Sequence, residues 1–214
     1  LKRTVTDKML KKMTFITMVN NENLYIQSKK SLEKQRKHAF FDFIPVYSDK
    51  KGWNAAKSLN YGIEKSKTEW IVCVHQDVVF PLNWIDRISS CLSSVSKQTA
   101  VIGLVGLGYN GSYFGHILDA HGHSKWGPMP AKVISIDEHL IILRKSSNLR
   151  FDESLPGFHC YGTDICLTAI SGGFDAIVVD APVVHLSGGN INDDSFRIAS
   201  EWLLKKWGEK VKYV

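Results

Sequence analysis

Three residues, His75, Gln76 and Asp77, follow directly on the apolar run Trp70-Ile71-Val72-Cys73-Val74. In extended chain His75 and Asp77 project the same way. A carboxylate with an imidazole can hold a divalent cation that bridges to phosphate oxygens; the same two residues could instead cap the approach to a helix at Pro81. A second group, Gly157-Phe158-His159-Cys160-Tyr161-Gly162-Thr163-Asp164, runs into an apolar helical pattern. Asp164 could there be a favourable charge at the helix N-terminus. Partly desolvated beside a metal, it could be a general base. His185 ends a strand pattern ahead of Ser187-Gly188-Gly189, and taken alone such a histidine reads as structural.

The elements that must carry these groups alternate. Met13–Val19, Phe40–Tyr47, Trp70–Val74 and Ala100–Leu107 are rich in β-branched and apolar residues and read as strands. Between them, helices are expected from the Asn20–Asn23 cluster to about Gln35, over Trp53–Lys65, and from Pro81 to about Ser96. That alternation predicts an α/β fold with a mostly parallel central sheet, right-handed crossovers and flanking helices. In such sheets ligands bind beyond the carboxyl ends of the strands, where Asn20-Asn21-Glu22, Ser48-Asp49 and His75-Gln76-Asp77 all fall. Tyr109–Pro130, rich in Gly, His, Tyr and Pro, reads as a long irregular loop covering a ligand site, mobile until the ligand binds. Lys132–Asp137, Leu140–Arg144 and Phe174–Val184 read as strands and Tyr161–Ile170 as a helix. Phe196, Ala199, Leu203, Trp207, Val211 and Val214 make one apolar helix face, with Arg197, Lys205, Lys210 and Lys212 on the other.

With 214 residues, 44% of them hydrophobic and 22% charged, the chain has ample core material for a single domain, which excludes disorder and a small disulfide scaffold. No apolar run approaches the ~20 residues of a membrane span, and Leu1-Lys2-Arg3 is not followed by the apolar core of a secretory signal. Cys73, Cys91, Cys160 and Cys166 lack metal-site spacing and read as reduced thiols of a cytoplasmic protein. Residues 1–67 hold 15 Lys/Arg against 6 Asp/Glu, so the first third is basic and suits a polyanionic partner.

Taken together, Phe15–Asn21, Trp53–Ile63, Trp70–Val78, Ile136–Glu138, Phe151–Leu167 and Val183–Ser187 resemble the GT-A glycosyltransferases of the family 2 type. The likeness is to their bacterial glycosyltransferase-like branch and, more distantly, to the β-1,4-galactosyltransferases. It covers about residues 13–190. It implies one Rossmann-like GT-A domain: a nucleotide-binding half over 1–107, an acceptor and catalytic half over 108–190, and a C-terminal amphipathic helix over 191–214. It implies that Val19, Asn20, Asn21, Asp49, Asn54, Asn60, His75, Gln76 and Asp77 bind the nucleotide sugar. Asp77 and His185 would ligate Mn²⁺ or Mg²⁺, with His75 standing where the general motif has its first acid. Asp137, Glu138, His159, Tyr161, Gly162 and Thr163 would line the donor sugar and acceptor. Asp164 would be the catalytic base, with Thr163 where an acid usually precedes it. The implied reaction is an inverting transfer from a nucleoside-diphosphate sugar, a UDP-sugar by default, to a hydroxyl of a glycan, lipid-linked or protein-linked acceptor. No nucleic-acid partner is implied. Read from the residues, the Tyr109–Pro130 loop and the basic face of the tail helix could bring the chain to the inner membrane surface, and a tail helix packed on the domain is the other reading.

Two other classes stay open on the residues alone. A nucleotidyltransferase would use a similar layer and metal, but should show a Gly-rich basic loop after the first strand, which Asn20-Asn21-Glu22-Asn23 is not. A non-catalytic nucleotide-sugar or carbohydrate-binding relative would fit the non-acidic His75 and Thr163.

Overall fold

The computed structural model describes residues 12–35, 39–188 and 194–211. In chain order the elements are β1 (Lys12–Met18), α1 (Glu22–Glu33), β2 (Phe40–Val46), α2 (Ala55–Lys65), β3 (Trp70–Val74), β4 (Val78–Val79), α3 (Trp84–Ser94), β5 (Thr99–Gly103), β6 (Val105–Leu107), β7 (Tyr113–Asp119) and β8 (Gly122–Trp126). The chain continues through β9 (Ala131–Lys132), β10 (Ser135–Ile136), β11 (Leu140–Arg144), α4 (Tyr161–Ser171), β12 (Asp175–Val178), β13 (Val184–His185) and α5 (Asp194–Trp207). Of the positions named above, Leu1-Lys2-Arg3, Gly189, Lys212 and Val214 lie outside the described residues.

Two sheets form. The larger has seven strands in the order β2-β1-β3-β11-β5-β12-β9, and the smaller runs β10-β6-β7-β13-β4 with β8 paired to β7. In the larger sheet β2, β1, β3, β5 and β12 point the same way, while β11 runs antiparallel between β3 and β5. The sheet is therefore mostly parallel, as expected. The antiparallel insertion arises because Leu140–Leu143 is buried throughout and so takes a central place, and its chain arrives directly from β10 with no crossover helix.

Period-two alternation puts the core on both faces. Ile71 and Cys73 of β3 join Leu59 and Ile63 of α2 and Ile165 and Ala169 of α4 on one side. Trp70, Val72 and Val74 join Leu32 of α1 and Trp84, Ile85, Ile88 and Leu92 of α3 on the other. α3 starts three residues later than Pro81 led one to expect, because Asn83 takes a left-handed conformation (φ 68°). Gln35 caps it from afar: its Oε1 accepts from Ile85 N at 3.0 Å and its Nε2 donates to Pro81 O at 2.9 Å.

Several expectations change. The single strand over Ala100–Leu107 breaks after Gly103, so that β5 stays in the large sheet and β6 opens the small one. The expected irregular loop over Tyr109–Pro130 is mostly the β7–β8 hairpin, paired from Gly115↔Trp126 to Asp119↔Gly122. One of its glycines serves sheet packing. Gly115 has φ +144°, and a Cβ there would lie 2.5 Å from the Val105 Cα, so only glycine lets β7 approach β6. The strand expected over Phe174–Val184 likewise divides into β12 and β13, one in each sheet.

Candidate functional site

The carboxyl ends of β1, β2 and β3 open into a cavity of about 670 Å³ lined by Val19, Asn20, Ser48, Asp49, Trp53, Asn54, His75, Gln76, Asp77 and Tyr161, among others. Gln76 ties the strand ends together: its Oε1 accepts from the backbone N–H groups of Asn20 (3.0 Å) and Asn21 (2.8 Å), and its Nε2 donates to Asn20 Oδ1. Asn54 caps α2, its Oδ1 accepting from Lys57 N at 2.9 Å, while its Nδ2 donates to Glu153 O and Leu155 O. The Trp53 ring, with Lys51 Nζ 4.4 Å from its centroid, forms part of the wall. Among the described residues Ser48 Oγ, buried there, has no hydrogen-bond partner.

Two residues expected at this cavity do not line it. Asn21 is the N-cap of α1, its Oδ1 accepting from Asn23 N and Leu24 N. Asn60 is buried in α2, and its amide binds Phe151 N, Phe151 O and Glu153 Oε1. Their side chains are spent on a helix end and on an inter-segment clamp.

At the mouth of β3, His75, Asp77 and His185 come together, each offering a ligating atom, all within 4.8 Å of one another. The pairing of β13 with β4 delivers His185: Val78 opposes it, and Leu186 N donates to Asp77 O at 3.0 Å. Asp77 Oδ1 is 3.4 Å from His185 Nε2. Burial works to raise the Asp77 carboxyl, but His185 and Ser187 hold it well below the usual carboxylate range. Burial likewise opposes charge on His185, yet the Asp77 carboxylate raises that imidazole above its ordinary value. His75 is pushed down to about 4, first by burial and then by the nearby His185. One ionised carboxylate and two imidazoles converging in this way make a suitable donor set for a divalent cation, and the two nitrogens suit Mn²⁺ better than the oxygen-preferring Mg²⁺.

A second cavity of about 660 Å³ adjoins the first, with His75 and Phe158 lining both. Its wall includes Asp119, Ser135, Asp137, Glu138, His159, Thr163, His185 and, from α5, Phe196, Ser200, Leu203 and Leu204. Asp137 Oδ1 accepts from His139 N (2.9 Å) and lies 2.7 Å from His139 Nδ1. Although burial raises it, the His139 imidazole keeps the Asp137 carboxyl well below its ordinary range. His139, fully buried and stacked on His185 at 5.5 Å, is a member of this cluster that sequence reasoning missed; its two-residue spacing from Asp137 was the available signal. Thr163 Oγ1 and Ser135 Oγ are 2.7 Å apart. His159 packs edge-on against Phe196 at 5.6 Å. Tyr161 is buried, its hydroxyl 3.0 Å from His75 Nε2. Glu138 Oε1 accepts from Gly162 N at 3.0 Å, and burial, with Asp137 adding to it, raises the Glu138 carboxyl to about 8.

Asp164 departs from expectation. In place of a partly solvated carboxylate, the structure has one that is 1% exposed. Its Oδ1 accepts from Lys206 Nζ at 2.8 Å and Trp207 Nε1 at 2.7 Å, both from α5, and it lines neither cavity. The reason is helical geometry: Thr163 and Asp164 are about 100° apart around α4, so with Thr163 facing the second cavity Asp164 faces the docked α5. As placed, Asp164 anchors a helix and has no opening toward an acceptor.

No protein-family model matches the chain. It is 25% identical over 155 residues to the ATP synthase subunits region ORF 6 protein of Fuscovulum blasticum, an alignment covering 68% of this chain and 62% of that protein. Among solved structures it is similar to the mannosyltransferase PcManGT from Pyrobaculum calidifontis, determined in complex with GDP-Man and Mn²⁺. The TM-score is 0.53 at 9% identity, over 92% of this chain and 60% of that one. It is also similar to S. aureus TarS 1–349, with a TM-score of 0.53 at 12% identity, over 92% of this chain and 72% of that one. The form of TarS 1–349 in complex with UDP gives 0.52 at 12% identity, with coverages of 95% and 68%. The chain spans about 60% of the length of the first of these structures and of the curated relative it matches. At these identities the likeness establishes the fold, and it is the glycosyltransferase fold that the sequence resemblance implies.

Proposed function

We propose that the chain transfers a sugar from a nucleoside-diphosphate sugar to an acceptor hydroxyl by a single, inverting displacement that depends on a divalent metal. The observation that carries this reading is the His75–Asp77–His185 cluster at the junction of two adjoining cavities. The first cavity has the polar strand ends and Trp53 that suit a nucleoside. The second has the carboxylates and apolar α5 wall that suit an acceptor. The Pyrobaculum mannosyltransferase with its GDP-Man and Mn²⁺, and TarS 1–349 with its UDP, support a nucleotide donor and favour Mn²⁺ over Mg²⁺.

His75, Asp77 and His185 would hold the metal, which when bound neutralises the charge growing on the leaving diphosphate. The chain's own residues do the rest. Asn20 and Gln76 fix the floor on which the diphosphate lies, and Asp49 and Trp53 bound the nucleoside. Asp137, kept ionised by His139, is an acceptor for donor-sugar hydroxyls. Phe158 and the α5 face wall the junction through which the acceptor enters.

The test is calorimetry with UDP and GDP, each with and without Mn²⁺, followed by turnover of UDP-glucose, UDP-galactose, UDP-N-acetylglucosamine and GDP-mannose. Tight binding of one nucleotide only with Mn²⁺ is expected, with Asp77→Ala abolishing the metal-dependent part while its thermal unfolding stays close to wild type. Equal nucleotide affinity in Asp77→Ala and wild type would sink the metal role. Binding without any turnover would leave a nucleotide-sugar-binding protein in place of an enzyme.

A further inference from the structure

Resting on that reading, we propose that Glu138 is the general base that takes the proton of the acceptor hydroxyl. Glu138 sits between β10 and β11 on the wall of the second cavity. The backbone N–H groups of Gly162 and Tyr161, in the first turn of α4, face its carboxylate, the former at 3.0 Å. The absence of a side chain at 162 is what allows this. A Cβ there would lie 2.3 Å from Ile136 O and 3.0 Å from Glu138 Cγ, so any larger residue would push the helix end off the carboxylate.

The other carboxylates near the junction are committed elsewhere. Asp137 is paired with His139 through two contacts and is too acidic to be an effective proton acceptor. Asp119 Oδ1 accepts from His121 N within its own turn. Asp164 is closed off by Lys206 and Trp207. Glu138 has the proton affinity of a base working near neutrality, and it lies close to the metal cluster through one side chain. The Tyr161 hydroxyl is 3.0 Å from His75 Nε2 and makes a long contact of 3.5 Å with Glu138 O. The titratable groups facing the Glu138 carboxyl are Asp137 from its own segment, Cys160 just before α4 and Tyr161 in its first turn.

In the step itself the acceptor oxygen bonds to the anomeric carbon of the donor. The bond from that carbon to the β-phosphate oxygen breaks, and its electron pair leaves with the nucleoside diphosphate. The acceptor proton passes to Glu138 and from there to solvent.

The experiment uses the full chain and the nucleotide sugar selected above, with water as the acceptor, reading metal-dependent donor hydrolysis. Glu138→Gln should lower kcat by about 10²–10⁴-fold with the nucleotide Kd unchanged, because the nucleotide lies in the first cavity. In Glu138→Ala, formate should restore part of the rate, since a small carboxylate can enter the space left behind. Near wild-type turnover in Glu138→Gln would overturn the assignment, as would a fall in nucleotide affinity parallel to the fall in rate. If the wild-type chain binds nucleotide with Mn²⁺ but turns over no sugar, the transferase reading itself fails, and that result is distinct from any behaviour of the variants.

Discussion

At Glu138 two effects oppose each other. Burial favours the neutral acid, while two helix-end N–H groups favour the carboxylate, and burial prevails to set the group near 8. Unfolded, the same carboxyl would titrate at its ordinary value of 4.5. Between those two values the folded chain binds a proton that the unfolded chain does not, so the stability this group contributes is full below about 4.5 and is lost as the pH rises through about 8. Two outcomes follow from one substitution. The rate of donor turnover should rise tenfold per pH unit below about 8 and level off above it, and Glu138→Gln should erase that limb. Glu138→Gln should also unfold at a higher temperature than wild type at pH 9, because it need not bury a charge, and at nearly the same temperature at pH 4. A variant less stable than wild type at pH 9, with the limb intact, would make Glu138 an ordinary wall residue.

Among the elements, α5 is the one whose attachment is most concentrated. Ala199 and Leu203 supply its buried apolar contact, and Lys206 bridges Asp152 and Asp164 at 2.8 Å each. Lys206 holds the Asp152 carboxyl down at about 2. Removing one partner of a buried pair leaves an uncompensated charge and costs ~3–5 kcal/mol. Because Lys206 is 29% exposed, Lys206→Ala should fall below that, at roughly 2 kcal/mol in chemical denaturation. Asp164→Asn keeps an oxygen for Trp207 Nε1 and should lose only ~1 kcal/mol, with donor turnover within a few-fold of wild type. A collapse of turnover at unchanged stability would return the base role to Asp164.

The same element shows why some of the site was legible in the sequence and some was not. His75 and Asp77 lie two residues apart just past one apolar strand, so their proximity is a local matter, although a turn closed by Val78 N donating to His75 O at 3.3 Å, and not extended chain, brings them together. Asp164 meets Lys206 across 42 residues of chain, and nothing local says which way round α4 it faces. Asn21 and Asn60 were misplaced for another reason. An amide serves equally to cap a helix, clamp a segment or bind a ligand, and only the fold chooses among these. The alternation of strands and helices up to Leu107 was readable because its strands are dominated by β-branched and apolar residues. The β7–β8 hairpin was not, because Gly115 and Gly122 replace the β-branched residues that mark a strand.

Over the whole molecule the two cavities draw on different parts of the chain. The first is lined from the segments that follow β1, β2 and β3 and by Gly157, Phe158 and Tyr161 at the start of α4, and takes nothing from residues 100–140. The second is built largely from the small sheet, with Val105, Gly106, Leu107, Tyr113, Ile117 and Asp119 in its wall. Donor binding and acceptor binding should therefore be separable by a lesson in the small sheet alone, and Gly115 is the place to make it. A Cβ at that position would lie 2.5 Å from both Leu104 O and the Val105 Cα, at a φ of +144° that side chains rarely adopt. Strain of this kind costs on the order of 1–3 kcal/mol, and here it falls on the β6–β7 pairing, Val105↔Gly115. In the wild-type chain His116 N and Leu118 N are bonded to Leu104 O (2.9 Å) and Val183 O (3.3 Å), so both amides should exchange slowly without donor or metal, contrary to a mobile cover. Gly115→Ala should speed their exchange and lower sugar transfer at least tenfold, while the nucleotide Kd measured with Mn²⁺ stays within about twofold of wild type. Fast exchange of His116 and Leu118 in the free wild-type chain would restore the mobile cover. Loss of nucleotide affinity in step with transfer would mean that the two cavities are mechanically one, and that the small sheet braces the metal cluster through β13 as well as shaping the acceptor wall.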